Sequence, residues 1–483
     1  MNETHPHGPA DVVFRGGAVY TVDPARTWAQ AVAVKGGRIV SVGTDGSVAD
    51  LIGTKTEVHD LHGRMLLPGF QDAHVHPPHG GLEMLECNLS EVSTREDYER
   101  IVADYASELP DVEWIRGGGW SMDSFPGGTP TKQILDRIVS DRPVYLPNRD
   151  GHGAWVNTRA LELAGITRET PDPPDGRIER DGAGEPSGTL HEGAMDLVEN
   201  VMPRVTEAEW DEGLRAAQQY LHSLGITAWQ DAIVGGPYDT LGVYITMAGR
   251  GALTARVIGS LWWDRHRGEE QIGELVAKRE RGSVGRFRAT TVKIMQDGVI
   301  ENFMAGVLEP YLGPDGTPTP NRGVSFVDPE LLKASVTGLD AEGFQVHIHA
   351  IGERAVREAL DALEAARDAN GANDHRHHIA HIQVVHPGDI PRFHQLGVVA
   401  NAQPLWATLD GQMVDLTIPF LGPERSGWQY PFASLVRSGA RLAFGSDWSV
   451  SSPNPMWEMA VAVHRKASRR HADVAGERAT KET

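Results

Sequence analysis

The stretch Leu66-Leu67-Pro68-Gly69-Phe70-Gln71-Asp72-Ala73-His74-Val75-His76 decides how the rest of the chain is read. A short apolar run leads to two histidines one residue apart. In extended backbone, side chains at i and i+2 project to the same side. His74 and His76 therefore reach one point at the end of a strand, and imidazole suits zinc and its transition-metal neighbours. The pair decides little alone. The chain holds 21 histidines and repeats the spacing at His5/His7 and His347/His349. Its weight comes from the pattern around it.

Upstream, short runs at residues 12–14, 18–22, 31–35, 38–42 and 56–60, punctuated by glycines, predict a small β-sheet module. Downstream, residues 80–202 are rich in turns and tryptophan and only weakly periodic, and read as an insertion. From residue 205 strands and helices alternate. Thr206-Glu207-Ala208-Glu209 is a capping box that opens a helix ended by Gly225. Asp328-Pro329-Glu330 opens another, ended by Gly343. Residues 354–369 carry apolar positions at helical spacing. Strands are predicted at 226–231, 255–262, 290–295, 344–349, 378–382, 398–402 and 442–445. Counting 65–67 as the first gives eight, the α/β pattern of a (β/α)8 TIM barrel.

In that fold active-site residues sit where the strands end. The first strand leads to His74 and His76. The fourth carries Lys293, followed by Asp297-Gly298. The fifth ends at His349, the sixth at His381, and Asp447 follows the eighth. Imidazoles and a carboxylate hold one or two divalent ions, Zn2+ fitting best, and bring the pKa of bound water from about 15.7 toward about 7. Attack by that hydroxide on a carbonyl carbon is the expected chemistry. Asp447 is the expected catalytic group, taking the water's proton and returning it to a leaving amine. A buried lysine beside cations is unfavourable as ammonium. Lys293 therefore reads either as a neutral amine or as N6-carboxylysine, a carbamate whose two oxygens bridge two ions.

These residues resemble the amidohydrolase superfamily in its family 3 branch, and within it the YtcJ-like and N-substituted formamide deformylase group. The resemblance runs from residue 11 to residue 465. It is dense in the insertion, at Pro143-Val144-Tyr145-Leu146, Asp150-Gly151-His152, Trp155-Val156-Asn157 and Gly188-Thr189-Leu190-His191-Glu192. Asp297-Gly298-Val299-Ile300-Glu301-Asn302 leading to Glu309-Pro310-Tyr311 is closer to the deformylase side. The resemblance implies a barrel plus a small β-sandwich and a metal-dependent hydrolase acting on a C–N bond. Its ligand positions fall on His74, His76, Lys293, His349, His381 and Asp447. His349 is preferred to His347 because Ala350-Ile351-Gly352 follows it. Trp120 and His152 resemble substrate-pocket residues of the insertion, and Trp120 reads equally well as core packing. Glu353 stands where the family usually has Asp. Ala380 stands where it usually has Glu before the histidine, which removes a carboxylate that would orient His381. Members also normally continue past the segment matching residues 460–465. Here 466–483 is polar, charged and aperiodic, so the chain reads as shortened, with sandwich strands left without partners.

The expected organisation is residues 1–63 as the sandwich strands, 64–79 with 203–465 as the barrel, 80–202 as the inserted subdomain, and 466–483 as a disordered tail. A net charge of −21 argues against nucleic acid and anionic membranes as partners. No apolar run approaches the roughly 18 residues of a membrane span, and residues 1–10 lack a signal-peptide core. The single cysteine, Cys87, excludes an intrachain disulfide and a Cys-rich zinc site. A cytoplasmic enzyme for a small-molecule amide, of N-substituted formamide type, is the expectation, with self-association through the exposed sandwich strands. Ester, carbamate or cyclic-amide hydrolysis and deamination stay open on the same site. A shortened remnant without turnover is the reading from a different class.

Overall fold

The computed structural model describes residues 8–236 and 240–466. The chain divides between Phe70 and Gln71 into two compact units. The first unit holds a four-stranded sheet in the order Arg38–Gly43, Ala31–Lys35, Val12–Arg15, Glu57–Asp60. A three-stranded sheet runs Trp28–Ala29, Ala18–Tyr20, Met65–Leu66. Val13, Ala31, Ala33, Val48 and Leu51 form its core. Among the described residues, Arg38–Gly43 and Glu57–Asp60 have no further partner strand, and all four residues of Glu57–Asp60 are exposed.

The strand expected at 65–67 as the first of the barrel belongs to this small unit instead. Ala18 and Val19 pair in parallel with Met65 and Leu66. Pro68 has no N–H to give a ladder and Gly69 follows it, so the run stops there. The barrel's first strand begins beyond them, at Phe70. It escapes a search for apolar runs because its inward residues are Asp72 and His74.

The second unit is built on eight parallel strands: β1 Phe70–Val75, β2 Ile226–Val234, β3 Arg256–Trp262, β4 Phe287–Met295, β5 Gln345–Ala350, β6 His378–His381, β7 Val399–Ala402 and β8 Arg441–Phe444. Neighbours pair in sequence order from β1 to β8, giving a nearly closed barrel with helices between the strands. The expected caps form. Thr206 and Glu209 bond reciprocally at the start of Glu207–Ser223. Asp328 accepts from Glu330 N and Leu331 N at the start of Pro329–Ala341.

Closure between β1 and β8 is made just past the last ladder. Asp447 N donates to His74 O at 2.7 Å, His76 N donates to Trp448 O at 2.9 Å, and Asn401 Nδ2 donates to Ala73 O at 2.9 Å. Asp72 accepts from Ser446 N at 3.0 Å and Ser446 Oγ at 2.6 Å. The two backbones meet so closely that a Cβ on Gly445 would lie 2.4 Å from His74 N.

Within residues 87–192 a six-stranded sheet runs Gly176–Arg180, Pro186–Glu192, Gly153–Val156, Val144–Pro147, Ile115–Gly118, Cys87–Asn88. Trp120, Trp155, Tyr98 and Phe125 are buried together in an apolar cluster beside it. Val144–Pro147 and Gly153–Val156 are buried almost throughout, so they show no alternation for a sequence reading to find. No described helix is long and apolar enough to cross a membrane. His5, His7 and the tail from residue 467 onward lie outside the described residues.

Gly445→Ala is expected to cost about 1–3 kcal/mol, the range for overpacking a closed interior. The offending neighbour is backbone and has no rotamer to yield. Denaturant unfolding of the variant beside the unaltered chain checks this.

Candidate metal centre

Alternation along β5 turns Gln345, His347 and His349 to the barrel interior and Val346 and Ile348 outward. Lys293 of β4 lies in register with His347, and Met295 with His349. On β6 the same rule gives His378 and Ala380 the inner face, so a regular strand would turn His381 away. Left-handed backbone at His381 (φ +74°) and Ile382 (φ +45°) swings that ring back inside. Asp447 is also left-handed (φ +57°). Non-glycine residues held this way store on the order of 1–3 kcal/mol each, and they concentrate at functional sites.

The side chains so placed converge on Asp447. His74 Nε2 lies 3.3 Å and His76 Nε2 2.9 Å from its Oδ1. His381 Nδ1 lies 3.8 Å from its Oδ2. His74, His381 and Asp447 each offer a donor atom within 4.8 Å of the others. The His349 ring is 4.4 Å from the His381 ring. His349 Nδ1 is 3.2 Å from Asp297 Oδ1, which leaves its Nε2 facing inward. Among the described residues His349 Nε2 and His381 Nδ1 are buried without a hydrogen-bond partner. Each such atom costs about 1–3 kcal/mol. A divalent cation is the group that imidazole nitrogens and a carboxylate together would satisfy. The donor set fits one.

The protonation states agree. Burial brings His74 down to about 3, with the Lys293 charge acting in the same sense. Burial also holds His349 and His381 well below the usual imidazole range, so these rings keep free lone pairs. Burial opposes the Asp447 charge, but His74 and His76 beside it hold the carboxyl well below its usual range. Lys293 is buried, and burial lowers its ammonium to about 7.

A second layer fixes these groups. Asp297 accepts from His349 Nδ1 and from three backbone amides, Ile351 N at 3.0 Å, Gly352 N at 2.9 Å and Gly306 N at 2.9 Å. Asp72 bonds His74 N at 3.1 Å besides Ser446. His74 Nδ1 is 2.9 Å from His347 Nε2. With Ala380 offering no carboxylate, His381 is held otherwise. Its amide donates to Gln403 Oε1 at 2.9 Å, and its ring stacks on Trp406 at 5.0 Å and 14°. Glu353 accepts from Leu308 N at 3.1 Å.

His152 comes from the inserted segment, its ring 5.4 Å from that of His349. Its Nδ1 is 2.8 Å from Glu192 Oε1. Burial opposes the charge, but Glu192 prevails and raises His152 to about 9. Trp120 is fully buried and its Nε1 donates to Leu146 O at 2.7 Å. Ser121 and Asp123, just past it, line a cavity of about 250 Å³ instead. Trp406, Trp448, Tyr430, Glu301, Asp150 and Asp410 also line that cavity. It adjoins the centre through Trp406, stacked on His381, and Trp448, next to Asp447.

Asp72, Asp297 and His347 were not singled out by the sequence reading as parts of the site. Asp72 had a signal, since it precedes His74 by two and shares its face. Asp297 had only its place after β4.

A second cluster, Asp340, His375 and His377, also brings donors together. Its hydrogen bonds speak against a metal. Val346 N donates to His377 Nδ1 at 3.0 Å. The proton of the neutral ring is then on Nε2, which points at Asp340 Oδ1 at 2.9 Å. Asn373 and Asn370 also donate to the Asp340 carboxylate. The cluster is a hydrogen-bonded clamp.

The sequence model of the amidohydrolase family matches residues 57–482. Among curated relatives, Protein LONG AFTER FAR-RED 3 of Arabidopsis thaliana is 34% identical over 94% of this chain and 78% of its own length. The YtcJ protein of Bacillus subtilis (strain 168) is 30% identical over 94% of this chain and 84% of its own. The N-substituted formamide deformylase of Arthrobacter pascens is 26% identical over 94% of this chain and 84% of its own.

Asp297→Asn places an amide against N–H donors and loosens His349. It is expected to weaken metal binding about 10–100-fold, the usual effect of losing such a partner. His377→Ala is expected to leave metal content unchanged. Chelator competition and elemental analysis check both.

Proposed function

The chain belongs to the amidohydrolase family, and from this premise we propose that it is a metal-dependent hydrolase of a C–N bond. Its substrate is an N-substituted formamide or another small amide. The observation that carries the reading is the pair of buried, unpartnered nitrogens, His349 Nε2 and His381 Nδ1, together with His74 Nε2 and His76 Nε2 turned toward Asp447. The name of the deformylase relative and the likeness at Asp297–Asn302 and Glu309–Tyr311 support the choice of amide.

A divalent ion bound here, Zn2+ by its donors, supplies Lewis acidity to the carbonyl and acidifies a coordinated water to about 7. The chain's own groups do the rest. Asp447 is ionised and accepts a proton, then returns it to the amide nitrogen, which leaves as an amine. His152, charged and held by Glu192, donates a hydrogen bond to the substrate. Trp406 and Trp448 offer flat apolar walls to the N-substituent. The carboxylates of Glu91, Asp123 and Asp150 outnumber Arg149 along the cavity and oppose a negative charge on the substituent, while burial raises Glu301 to about 7 and Asp410 to about 6. Lys293 as a neutral amine adds to CO2, forming the N–C bond of a carbamate and releasing one proton. That product offers two anionic oxygens and would raise the capacity of the centre from one ion to two.

The test is metal content of the purified chain with a hydrolysis panel. The panel spans N-substituted formamides with neutral, cationic and anionic substituents, with esters, carbamates, lactams and aminated heterocycles. Turnover of formamides is expected, with Asp447→Asn lower by about 10²–10⁴. Anionic substituents are expected to react at least about tenfold slower than neutral ones, a barrier difference of about 1.4 kcal/mol. His74→Ala should bind metal more weakly, with a residual affinity left to measure. No metal after reconstitution of folded protein, or turnover confined to esters or deamination, would overturn the reading.

A further inference from the structure

The two histidines of β5 both face the barrel interior, yet only His349 has a nitrogen left for an ion. We propose that His347 is a positioning residue that holds His74 in the tautomer whose Nε2 lone pair faces the metal centre. The inference rests on the metal-centre reading above and extends it to a residue that touches neither ion nor substrate.

A neutral imidazole carries one proton on two nitrogens. His74 Nε2 faces Asp447, and His74 Nδ1 lies 2.9 Å from His347 Nε2. To offer Nε2 to a cation, His74 must carry its proton on Nδ1. That proton needs an acceptor inside a fully buried barrel, and His347 Nε2 is the atom there. His347 accepts only if its own proton is on Nδ1, and Nδ1 lies 3.3 Å from Ser260 Oγ. Ser260, on β3, is buried; its Oγ accepts from Gln230 Nε2 at 3.2 Å and has a second lone pair to receive that N–H. The chain of bonds runs His74 Nδ1–H to His347 Nε2, then His347 Nδ1–H to Ser260 Oγ. The opposite assignment also satisfies every atom. It puts the His74 proton on Nε2, against Asp447, and blocks the ligand. Cation binding therefore selects the first arrangement, and His347 with Ser260 makes it available without an unpaired N–H.

His347 itself does not fit as a ligand. Its Nε2 points at a ring nitrogen and its Nδ1 at a hydroxyl. The ring is wedged against His378 at 4.0 Å between centroids, which fixes its plane. His349 shows the same arrangement with a different acceptor, its Nδ1 on Asp297 and its Nε2 free.

The experiment measures Zn2+ affinity by competition with a chromophoric chelator, with circular dichroism to confirm folding. The variants are His347→Leu, His347→Gln and Ser260→Ala, each made in the native chain and in His74→Ala. His347→Leu should weaken Zn2+ binding about 10–100-fold, whereas His347→Gln, whose Oε1 still accepts from His74, should stay within about threefold. Ser260→Ala should weaken binding in the same direction by less. In the His74→Ala background none of the three should change affinity further, because His347 acts only through His74. Native affinity in both His347→Leu and Ser260→Ala overturns the proposal. So does a Gln variant as weak as Leu, or a Leu or Ser260→Ala loss that persists undiminished without His74. If His347→Leu does not fold, Ser260→Ala in both backgrounds decides alone. Failure of the unaltered chain to bind Zn2+ overturns the metal-centre reading, and the role of His347 with it.

Discussion

Everything in the larger unit depends on how the segment after β8 docks on β1. The hydrogen bond from Asp447 N to His74 O closes the barrel where no ladder remains to do so. The same two residues then present Nε2 and a carboxylate oxygen to each other at 3.3 Å. Closure of the fold and assembly of the centre are thus one event. Gly445 permits the approach, and Asp72 ties it from beneath by gripping Ser446 and the His74 amide. A change that loosens this seam removes stability and donor geometry together.

The second constraint is the polar interior below that seam. Barrel interiors of this kind are usually filled by branched apolar side chains. Here Gln230, Ser260, Thr291, Gln345, His347, His378 and Asn401 meet inside and bond one another. Each would be costly alone, because a buried polar group without a partner loses its hydration for nothing. Joined, they resist rotation and hold the histidines above them in place. The interior gives up apolar burial and gains a connected path of donors and acceptors, which holds the rings of the histidines in place.

Local chemistry made much of this legible in the sequence. The Thr206 and Asp328 caps, the helical spacing of 354–369 and seven of the eight barrel strands could be read because each depends on residues close in the chain. His74 and His349 could be given a side because each follows another polar residue of its strand, Asp72 or His347, by two. What escaped depends on contacts far apart. β1 was placed too early because the apolar run at 65–67 looks more like a strand than the polar residues that follow, and its true partner is Ala18–Val19. His381 was assigned to the site from its position, but only a left-handed residue brings it there. Asp297 is fixed by amides from Gly306, Ile351 and Gly352, none visible as partners in a linear reading. Val144–Pro147 and Gly153–Val156 of the six-stranded sheet are short and buried on both faces, so they carry no period.

Donor composition alone would not have separated the centre from the Asp340 cluster, since both join histidines to a carboxylate. Proton positions do. At Asp340 a backbone N–H occupies the remote nitrogen of His377, so the near nitrogen carries the proton and donates it to the carboxylate. His375 Nδ1 and two side-chain amides crowd the same carboxylate. At Asp447 the remote nitrogens of His74 and His349 meet groups able to accept, His347 and Asp297. The near nitrogens are then free to give a lone pair. What the other nitrogen touches therefore bears on whether a histidine can give a lone pair, and by that criterion His74 and His349 fit the part of a ligand while His377, just before β6, does not.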